Sequence, residues 1–300
     1  MIDVLVIGGG PAGMGAALVA GRGRMEVVLI DDEKPRNAVT QESHAFLTRD
    51  GITPEDFRLA GRSDLLKYPN ISVKPGRVKS IERKEDETFE VTTDAGEFIR
   101  TKNIVLATGL SETLPKVEDI EKYYGRSLFS CPFCDGWEMK EQPLVLIAET
   151  SQALHVVQLL TNWTDDLVVA TNGLVVFDSE QKALLEGNNI RLIEDTIREL
   201  KGSDGQLESV HFEGGEILER TGGFITTELK HPMPFIEQLD LEVSEAGFVV
   251  TNMMGQTNIP GIYAAGEITG PSQLIVSASQ GHMAGIGIIA QASQANFNRI

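Results

Sequence analysis

The chain has 300 residues, which is enough for one large domain or two ordinary ones with a buried core. Its hydrophobic content of 41% and charged content of 23% are ordinary for a globular protein. The net charge of -18 argues against binding to nucleic acid or to anionic membrane surfaces, because both need a basic footprint. A solvated acidic surface is the simpler interpretation.

The sequence contains no apolar run approaching the roughly 20 residues of a membrane-spanning helix. The first predicted strand starts at Ile2, and no basic or apolar leader stands ahead of it. We therefore expect a cytoplasmic protein with no membrane partner. In that compartment a close pair of cysteines is more often catalytic than structural.

The amino terminus carries a dinucleotide-binding pattern. An apolar strand over Ile2–Ile7 leads into Gly8-Gly9-Gly10-Pro11-Ala12-Gly13, which opens a small-residue helix from Met14 to Ala20. A second strand, from Glu26 to Ile30, ends at Asp31, near the spacing expected for an acid that binds ribose. This context predicts nucleotide binding. The alternative is a glycine-rich turn that only packs.

The remaining elements alternate between strands and helices. A loop is expected from Lys34 to Asp50. The predicted strands are Ile71–Val73, Val78–Arg83, Thr88–Thr93, Ile104–Ala107, Leu144–Ile147, Leu167–Ala170, Ile190–Ile193, Leu207–Phe212, Glu216–Glu219, Gly247–Thr251 and Ile259–Glu267. The predicted helices are Pro54–Lys67, Gln152–Trp163, Ser179–Leu185 and Ser272–Ala292.

The only two cysteines, Cys131 and Cys134, stand two residues apart. Such a pair can close a disulfide across one helical turn, and its thiol pKa values are often lowered. Asp135 follows directly and is placed to donate or accept a proton. A zinc site would need about four ligands, and no histidine lies near the pair. Two inert thiols are the remaining alternative, since the motif by itself has moderate specificity.

Together these motifs resemble the small thioredoxin-reductase-like flavoproteins along essentially the whole chain. The matching stretches are Gly8-Gly9-Gly10-Pro11-Ala12-Gly13, Ala107-Thr108-Gly109, Cys131-Pro132-Phe133-Cys134-Asp135-Gly136, Tyr263-Ala264-Ala265-Gly266-Glu267, Gln273, and Gly281-His282-Met283-Ala284.

The resemblance implies an α/β fold with two Rossmann-like three-layer domains, the second inserted in the first. Residues 1–112 and 232–300 would form an FAD-binding domain that is split in the sequence. Residues 113–231 would form an inserted NADPH-type domain that carries the cysteine pair. A homodimer is also implied, and no metal is expected.

The resemblance also implies the residues that hold FAD. One departure is Glu267, where family members usually have Asp; the longer carboxylate still has an oxygen to accept a ribityl hydroxyl. The implied cofactor-binding residues are Gly8, Gly10, Pro11, Ala12, Gly13, Asp31, Arg36, Asn37, Val78, Ala107, Thr108, Gly109, Gly266, Glu267, Gln273 and Leu274.

The catalytic residues are implied in the same way. Cys134 would be the sulfur that faces the flavin, Cys131 the one that attacks substrate, and Asp135 the acid or base. His44 and His282 are candidate bases near the thiols; each is equally consistent with an ordinary surface or packing histidine. The aromatic residues at 129, 133 and 137 either line an apolar substrate pocket or belong to the core.

Two stretches depart from a reductase pattern. In the family, the inserted domain has its own glycine turn for NADPH and then a basic run for the 2′-phosphate. Here the turn is Ile147-Ala148-Glu149-Thr150-Ser151-Gln152-Ala153, with two glycine positions replaced and a negative charge added. Ala170-Thr171-Asn172-Gly173 stands in place of the basic run. Both changes argue against ordinary NADPH binding.

The loop from Lys34 to Gly51 and the Cys-Pro-Phe-Cys motif look like the dithiol oxidase branch that closes disulfides in sulfur-bearing natural products. The first hypothesis is therefore dithiol oxidation through Cys131 and Cys134 to FAD and then to oxygen or another acceptor. The second is a reductase of thioredoxin or a small disulfide, fed by NADPH or by a protein electron donor. The third is a flavin-bound redox sensor. The partners would be a small dithiol or disulfide, or a thioredoxin-like protein.

Overall fold

The computed structural model describes residues 1–150 and 153–298. Its strands are β1 (Ile2–Ile7), β2 (Val27–Asp31), β3 (Ile71–Pro75), β4 (Val78–Arg83), β5 (Phe89–Thr93), β6 (Phe98–Leu106), β7 (Ser111–Thr113), β8 (Leu128–Phe129), β9 (Leu144–Ile147), β10 (Leu167–Ala170), β11 (Arg191–Ile193), β12 (Ile197–Ser203), β13 (Gln206–Phe212), β14 (Ile217–Glu219), β15 (Gly222–Ile225), β16 (Glu228–Lys230) and β17 (Ile262–Ala264).

The helices include one long carboxy-terminal helix and six shorter ones. They are α1 (Pro11–Arg22), α2 (Pro54–Leu65), α3 (Pro132–Asp135), α4 (Ala153–Leu160), α5 (Ser179–Gly187), α6 (Phe235–Gln238) and α7 (Leu274–Phe297). Within the described ranges, no helix has both the length and the apolar character needed to cross a membrane.

The chain forms two compact units. Unit 1 comprises Met1–Ala38, Phe46–Ser111 and the chain from His231 onward; unit 2 comprises Val39–Ala45 and Glu112–Lys230. The segment Val39–Ala45 therefore groups with unit 2, although the sequence places it within the first part of the split domain. An added Cβ at Gly125 would lie 2.2 Å from the Val39 carbonyl oxygen, so this segment packs closely against unit 2.

Unit 1 is built on a mixed sheet with the strand order β3-β2-β1-β6-β5-β4. The first four strands are parallel, and β4 and β5 are antiparallel to their neighbours. The long strand β6 pairs with β5 over its first half and with β17 over its second half. As a result, the carboxyl ends of β1, β2, β6 and β17 meet at one edge of the sheet, where α/β folds bind their ligands.

Helices α1 and α7 pack together through small residues on one face of this sheet. A Cβ at Gly281 would lie 1.8 Å from the Ala12 carbonyl oxygen, and one at Gly285 would lie 2.8 Å from the Val19 side chain. Ala16 and Ala284 are buried in the same core, which includes Val4 and Val105 of the sheet. The small-residue composition predicted for both helices therefore has a packing reason: their backbones approach too closely for larger side chains.

Unit 2 contains a parallel sheet with the order β11-β10-β9-β15-β8 and a three-stranded antiparallel sheet, β12-β13-β14. Strands β7 and β16 form a separate two-stranded sheet. The four residues of β9 are fully buried, as are those of β15. This burial on both faces is the pattern expected of central parallel strands.

Several predicted elements differ from the structure. The strand predicted at 247–251 is wrong: Gly247 adopts a φ of +83° in a turn, and only an isolated bridge joins Val243 to Val249. The strand predicted at 259–267 is confined to β17. Strands β12 and β15 were not predicted. Strand β15 begins with two glycines, which are uncommon in strands, so its sequence did not indicate a strand. The fold nevertheless requires glycine at 223, since a Cβ there would lie 1.8 Å from the Val145 carbonyl oxygen.

Candidate functional site

The glycine-rich turn of unit 1 connects β1 to α1 at the carboxyl edge of the sheet. Gly8 has a φ of +106°, and a Cβ there would lie 2.2 Å from the Ala107 carbonyl oxygen. A Cβ at Gly13 would lie 1.8 Å from the Gly8 carbonyl oxygen. Both contacts are with backbone, which cannot move aside, so these two positions require glycine. Pro11 is the first residue of α1, where its missing N–H costs nothing.

Gly10 tests whether a dinucleotide fits this turn. It caps α1, and a Cβ at this position would have no atom within 4 Å. Unlike its neighbours, Gly10 is therefore not required by packing within the protein. Open space beside a bare backbone at the start of a 12-residue helix suits the approach of a pyrophosphate. The residues present fit an adenine dinucleotide such as FAD.

Asp31 lies at the end of β2, next to this turn, and is buried. Its Oδ1 accepts a hydrogen bond from the Gly9 N–H at 3.1 Å, and its Oδ2 forms an ion pair with Arg62 at 2.8 Å. Arg62 also pairs with Glu33 at 2.5 Å. The carboxylate is thus held at the place predicted for a ribose-binding acid. Sequence reasoning missed Arg62, because nothing local marks this arginine of α2 as a partner of Asp31.

Arg36 and Glu267 are 231 positions apart in the chain and meet in unit 1. Arg36 Nη2 lies 2.5 Å from Glu267 Oε1, and Arg36 Nε donates to Oε2 at 3.4 Å. The two side chains are 28% and 18% exposed. A Cβ at Gly109, which follows β6, would lie 3.9 Å from Glu267 Oε2. Three predicted cofactor residues are therefore neighbours at the carboxyl edge of the sheet.

We expect Glu267→Gln to raise the dissociation constant for FAD by about tenfold to a hundredfold, since a hydrogen bond to a charged group contributes about 1.5–3 kcal/mol. The amide keeps the shape of the side chain but loses the charge that holds Arg36. FAD titration of flavin-stripped protein measures the effect. Glu245→Gln, an exposed glutamate of the same unit, is the control. An unchanged dissociation constant in Glu267→Gln would contradict the predicted role of Glu267.

The other predicted cofactor residues all belong to unit 1. Ala12 contributes to the α1–α7 contact, and Ala107 and Thr108 directly follow β6. Gln273 caps α7, Leu274 is its first residue, and the Gly266 N–H donates to Gln280 Oε1 at 2.9 Å. Asn37 adjoins Arg36 in a short 3₁₀ turn. Val78 is buried at the start of β4, in the core on the sheet face opposite the α1–α7 cluster. Their roles toward FAD remain predictions.

Cys131 and Cys134 form a disulfide at the start of α3, with a Cα–Cα distance of 5.3 Å. Cys131 caps this short helix, and its carbonyl accepts hydrogen bonds from the N–H groups of Cys134 and Asp135 at 3.1 and 3.2 Å. Both cysteines are partly exposed. Within residues 1–150 and 153–298, no cluster of three or more His, Cys, Asp or Glu side chains is arranged to hold a metal ion.

Asp135 is buried directly beside the disulfide in sequence, with 9% of its surface exposed. Burial raises the pKa of this carboxyl to about 7, the negative charge of Glu138 adds to the increase, and His44 opposes it. A carboxyl with a pKa near neutrality can both donate and accept a proton under physiological conditions. The position suits a group that exchanges protons with thiols.

The two candidate histidines lie in different units. His44 belongs to unit 2, with Nε2 3.6 Å from Glu138 Oε1 and 3.7 Å from Glu42 Oε2. It therefore shares its surroundings with Asp135. His282 is exposed on α7 of unit 1. Sequence reasoning missed Glu138, although it stands only three residues after Asp135.

The three aromatic residues around the cysteines have different environments. Phe129 is a core residue of unit 2 that packs against Phe224, with 6.3 Å between ring centroids. Phe133 is 55% exposed and makes an edge contact with Trp163. Trp137 is 67% exposed, and Lys140 Nζ lies 3.4 Å above its ring centroid. Of these three aromatic residues, Phe133 and Trp137 therefore expose apolar surface, whereas Phe129 does not.

The turn after β9 in unit 2 corresponds in place to the glycine turn of unit 1. The Ala148 N–H donates to the Ala170 carbonyl at 2.9 Å, just as the Gly8 N–H donates to the Ile30 carbonyl at 2.8 Å. Glu149 follows, and its carboxylate accepts hydrogen bonds from the Lys116 N–H and the Asn172 side chain. The predicted turn over 147–153 includes Ser151 and Gln152, and the predicted helix begins at Gln152. These two residues lie outside the described residues.

A dinucleotide-type turn in one α/β unit and a disulfide beside a buried carboxyl in another define a disulfide oxidoreductase. The chain belongs to the pyridine nucleotide-disulphide oxidoreductase family, whose sequence model matches residues 2–285. This membership implies a flavin cofactor. The predicted resemblance to thioredoxin-reductase-like enzymes and the predicted Rossmann-like α/β class are both confirmed.

Individual relatives agree along nearly the whole chain. TrxB from Bacillus anthracis is 43% identical, with a TM-score of 0.95 over 99% of this chain and 100% of that one. HlmI is 30% identical, with a TM-score of 0.92 over 99% of this chain and 94% of that one. Thioredoxin reductase aclD of Aspergillus oryzae is 28% identical over 305 residues, covering 97% of this chain and 96% of that protein.

Proposed function

We propose that this enzyme is an FAD-dependent thiol–disulfide oxidoreductase that oxidises a substrate dithiol through Cys131 and Cys134, without an ordinary NADPH site. The observation that carries the proposal is the turn after β9. A glutamate carboxylate that is already hydrogen-bonded stands on this turn, at the counterpart of Gly9, and Ala148 and Thr150 replace the glycines on either side of it. The cysteine pair, in contrast, is complete, oxidised and partly exposed.

The proposed chemistry on the protein is two successive thiol–disulfide exchanges. A substrate thiolate attacks Cys131 Sγ, forms a mixed disulfide, and breaks the Cys131–Cys134 bond, with Cys134 leaving as a thiolate. The second substrate thiolate then attacks the substrate sulfur of the mixed disulfide and releases Cys131. The substrate dithiol is oxidised to a disulfide, and the protein disulfide is reduced to two thiols.

Asp135 handles the protons of these exchanges. Its pKa of about 7 lets it accept a proton from an incoming thiol and return it to a departing thiolate. His44 lies in the same surroundings, with Nε2 3.6 Å from Glu138 Oε1. FAD, when bound, would serve as the two-electron acceptor for the reduced cysteine pair, with oxygen or another acceptor as the final oxidant. The substrate is a small dithiol, with a thioredoxin-like protein as the alternative partner.

An anaerobic absorbance titration of the flavin-loaded enzyme tests the proposal. We expect dithiothreitol to bleach the flavin, and NADPH or NADH to do so at least about a hundredfold more slowly, since the phosphate contacts are missing. Readmitted air should restore the colour and form peroxide. Oxidised dithiothreitol and a mixture of NADPH with free FAD are the controls. Rapid bleaching by micromolar NADPH would overturn the proposal.

A second candidate is a reductase working in the opposite direction. It is favoured by the similarity to aclD of Aspergillus oryzae, which is a thioredoxin reductase. In this case a protein donor such as a ferredoxin, or NADPH, would supply the electrons. Bleaching by neither dithiol nor nicotinamide, followed by bleaching with reduced ferredoxin, would select this function. Sustained turnover with any dithiol or disulfide excludes the third hypothesis, a sensor without turnover.

A further inference from the structure

The two units use the same turn position in opposite ways. In each unit the turn follows a strand that has a parallel neighbour on either side. Strand β1 lies between β2 and β6, and strand β9 lies between β10 and β15. The strand pairing makes Glu149 the counterpart of Gly9, and Thr171 the counterpart of Asp31. Unit 1 therefore has a bare turn and an acid at the end of the second strand. Unit 2 has an acid on the turn and a hydroxyl at that end.

These two differences depend on each other sterically. A Cβ at Gly9 would lie 2.6 Å from the Asp31 carboxylate, so a side chain at that position in unit 1 would displace this carboxylate from its hydrogen bond to the Gly9 N–H. In unit 2, Thr171 is shorter and uncharged, and it is fully buried. Thr171 therefore places no carboxylate at the strand end, so no negative charge there repels a carboxylate on the turn. The negative charge therefore lies at the end of the second strand in unit 1 and on the turn in unit 2.

The Glu149 carboxylate has the contacts of a bound anion. The Lys116 N–H lies 3.2 Å from Oε1 and 3.3 Å from Oε2, and Asn172 Nδ2 donates to Oε1 at 2.6 Å. The Asn172 side chain is itself fixed, because its Oδ1 accepts from the Ile197 N–H at 2.9 Å. The Glu149 N–H donates to Thr226 Oγ1 at 3.1 Å. Backbone and amide donors that converge on an oxyanion are the donors that bind phosphate groups.

We propose that Glu149 is the specificity-determining residue of unit 2, an internal carboxylate that occupies an anion-binding position and excludes phosphate-bearing ligands from it. The inference rests on the proposed function in one respect, that the intact enzyme does not use this edge for a nucleotide. It goes further in assigning the exclusion to one side chain. Without that side chain, the Lys116 N–H and the Asn172 amide become available to an inorganic pyrophosphate.

Calorimetric titration of the flavin-loaded Glu149→Gly variant with inorganic pyrophosphate tests the assignment. We expect pyrophosphate to bind at least about tenfold more tightly than to the wild type, through the released charge-assisted hydrogen bonds. Adding Asn172→Asp to this variant should abolish the gain, since it replaces the donor and keeps the acceptor for Ile197. Glu118→Gly, which removes an exposed charge two residues from Lys116, should bind no more tightly than the wild type.

Glu149→Ala repeats the test if the glycine variant does not fold. In Glu149→Gln the side chain should still occupy the position, so we expect no gain in pyrophosphate binding. A folded Glu149→Gly or Glu149→Ala protein with wild-type affinity for pyrophosphate would overturn the assignment, because Ala148 and Thr150 would then suffice to exclude the ligand. A gain that survives Asn172→Asp would overturn it too. Reduction of the wild-type flavin by NADPH would instead refute the proposed function, which this binding measurement does not use.

Discussion

Cys131→Ser and Cys134→Ser are each expected to lower turnover with dithiothreitol by about 10³-fold or more, because neither variant can form the disulfide that accepts the electrons. Stopped-flow absorbance of the flavin under anaerobic conditions, and oxygen uptake in air, measure the loss. The folded state should survive both changes, since serine is similar in size and both cysteines are partly exposed.

The two variants should also differ from each other. If Cys131 is the sulfur that meets the substrate, Cys134→Ser should trap a thiol substrate as a mixed disulfide that mass spectrometry detects, whereas Cys131→Ser should not. Ser130→Ala is the control, since it changes the adjacent hydroxyl and leaves both thiols in place; it should retain activity within about threefold. Turnover at the wild-type rate in either cysteine variant would refute the mechanism.

Asp135→Asn is expected to lower turnover by about 10²–10⁴-fold, the usual contribution of a positioned acid or base. Because the pKa of Asp135 is raised to about 7, the pH–rate profile of the wild type should have an inflection near pH 7 that the variant lacks. A merely structural role would leave that inflection in place. The pH dependence of anaerobic flavin reduction by dithiothreitol distinguishes the two cases.

The same carboxyl should affect stability with a definite sign. The folded protein keeps the proton of Asp135 up to about pH 7, whereas the unfolded chain releases it near pH 3.8. The free energy of unfolding therefore falls as pH rises through this window, by at most about 4 kcal/mol at 1.36 kcal/mol per pKa unit. Asp135→Asn should gain stability relative to the wild type over the same window.

Urea denaturation at pH 5 and pH 8 measures this gain. Asp165→Asn, at an exposed position of the same unit, is the matched control and should show no such difference between the two pH values. Equal relative stability of Asp135→Asn at both pH values would mean that the carboxyl is not held protonated by burial.

Much of unit 1 was predictable because its signals are local. The strand, the glycine turn and the helix follow one another within 22 residues, and the steric demand at Gly13 comes from Gly8 of the same turn. The steric demand at Gly8, in contrast, comes from the distant Ala107 carbonyl oxygen, a contact that only the fold shows. The cysteine pair was predictable for the same reason, since a separation of three residues allows the disulfide that is observed. Val78 and Asn37 lie in unit 1, and their contact with FAD remains a prediction.

Contacts between distant segments were not predictable. The charge at Glu149 was evident from the sequence, but its acceptance of hydrogen bonds from Lys116 and Asn172 was not. Likewise, the segment Val39–Ala45 brings His44 into unit 2, although its sequence neighbours on both sides belong to unit 1. The strand predicted at 247–251 failed because its apolar residues lacked a neighbouring strand to pair with along their length.

The sequence by itself determined the class of the enzyme, the dinucleotide turn and the redox pair, because short-range sterics and the chemistry of adjacent side chains specify each of them. The tertiary structure decided which charges are paired and which are buried. Arg36 forms an ion pair with Glu267, and Asp135 is buried near Glu138 and His44. On the turn after β9, the Glu149 carboxylate is hydrogen-bonded to Asn172. Desolvation and hydrogen bonding depend on which segments meet in space, and a linear pattern does not contain that information.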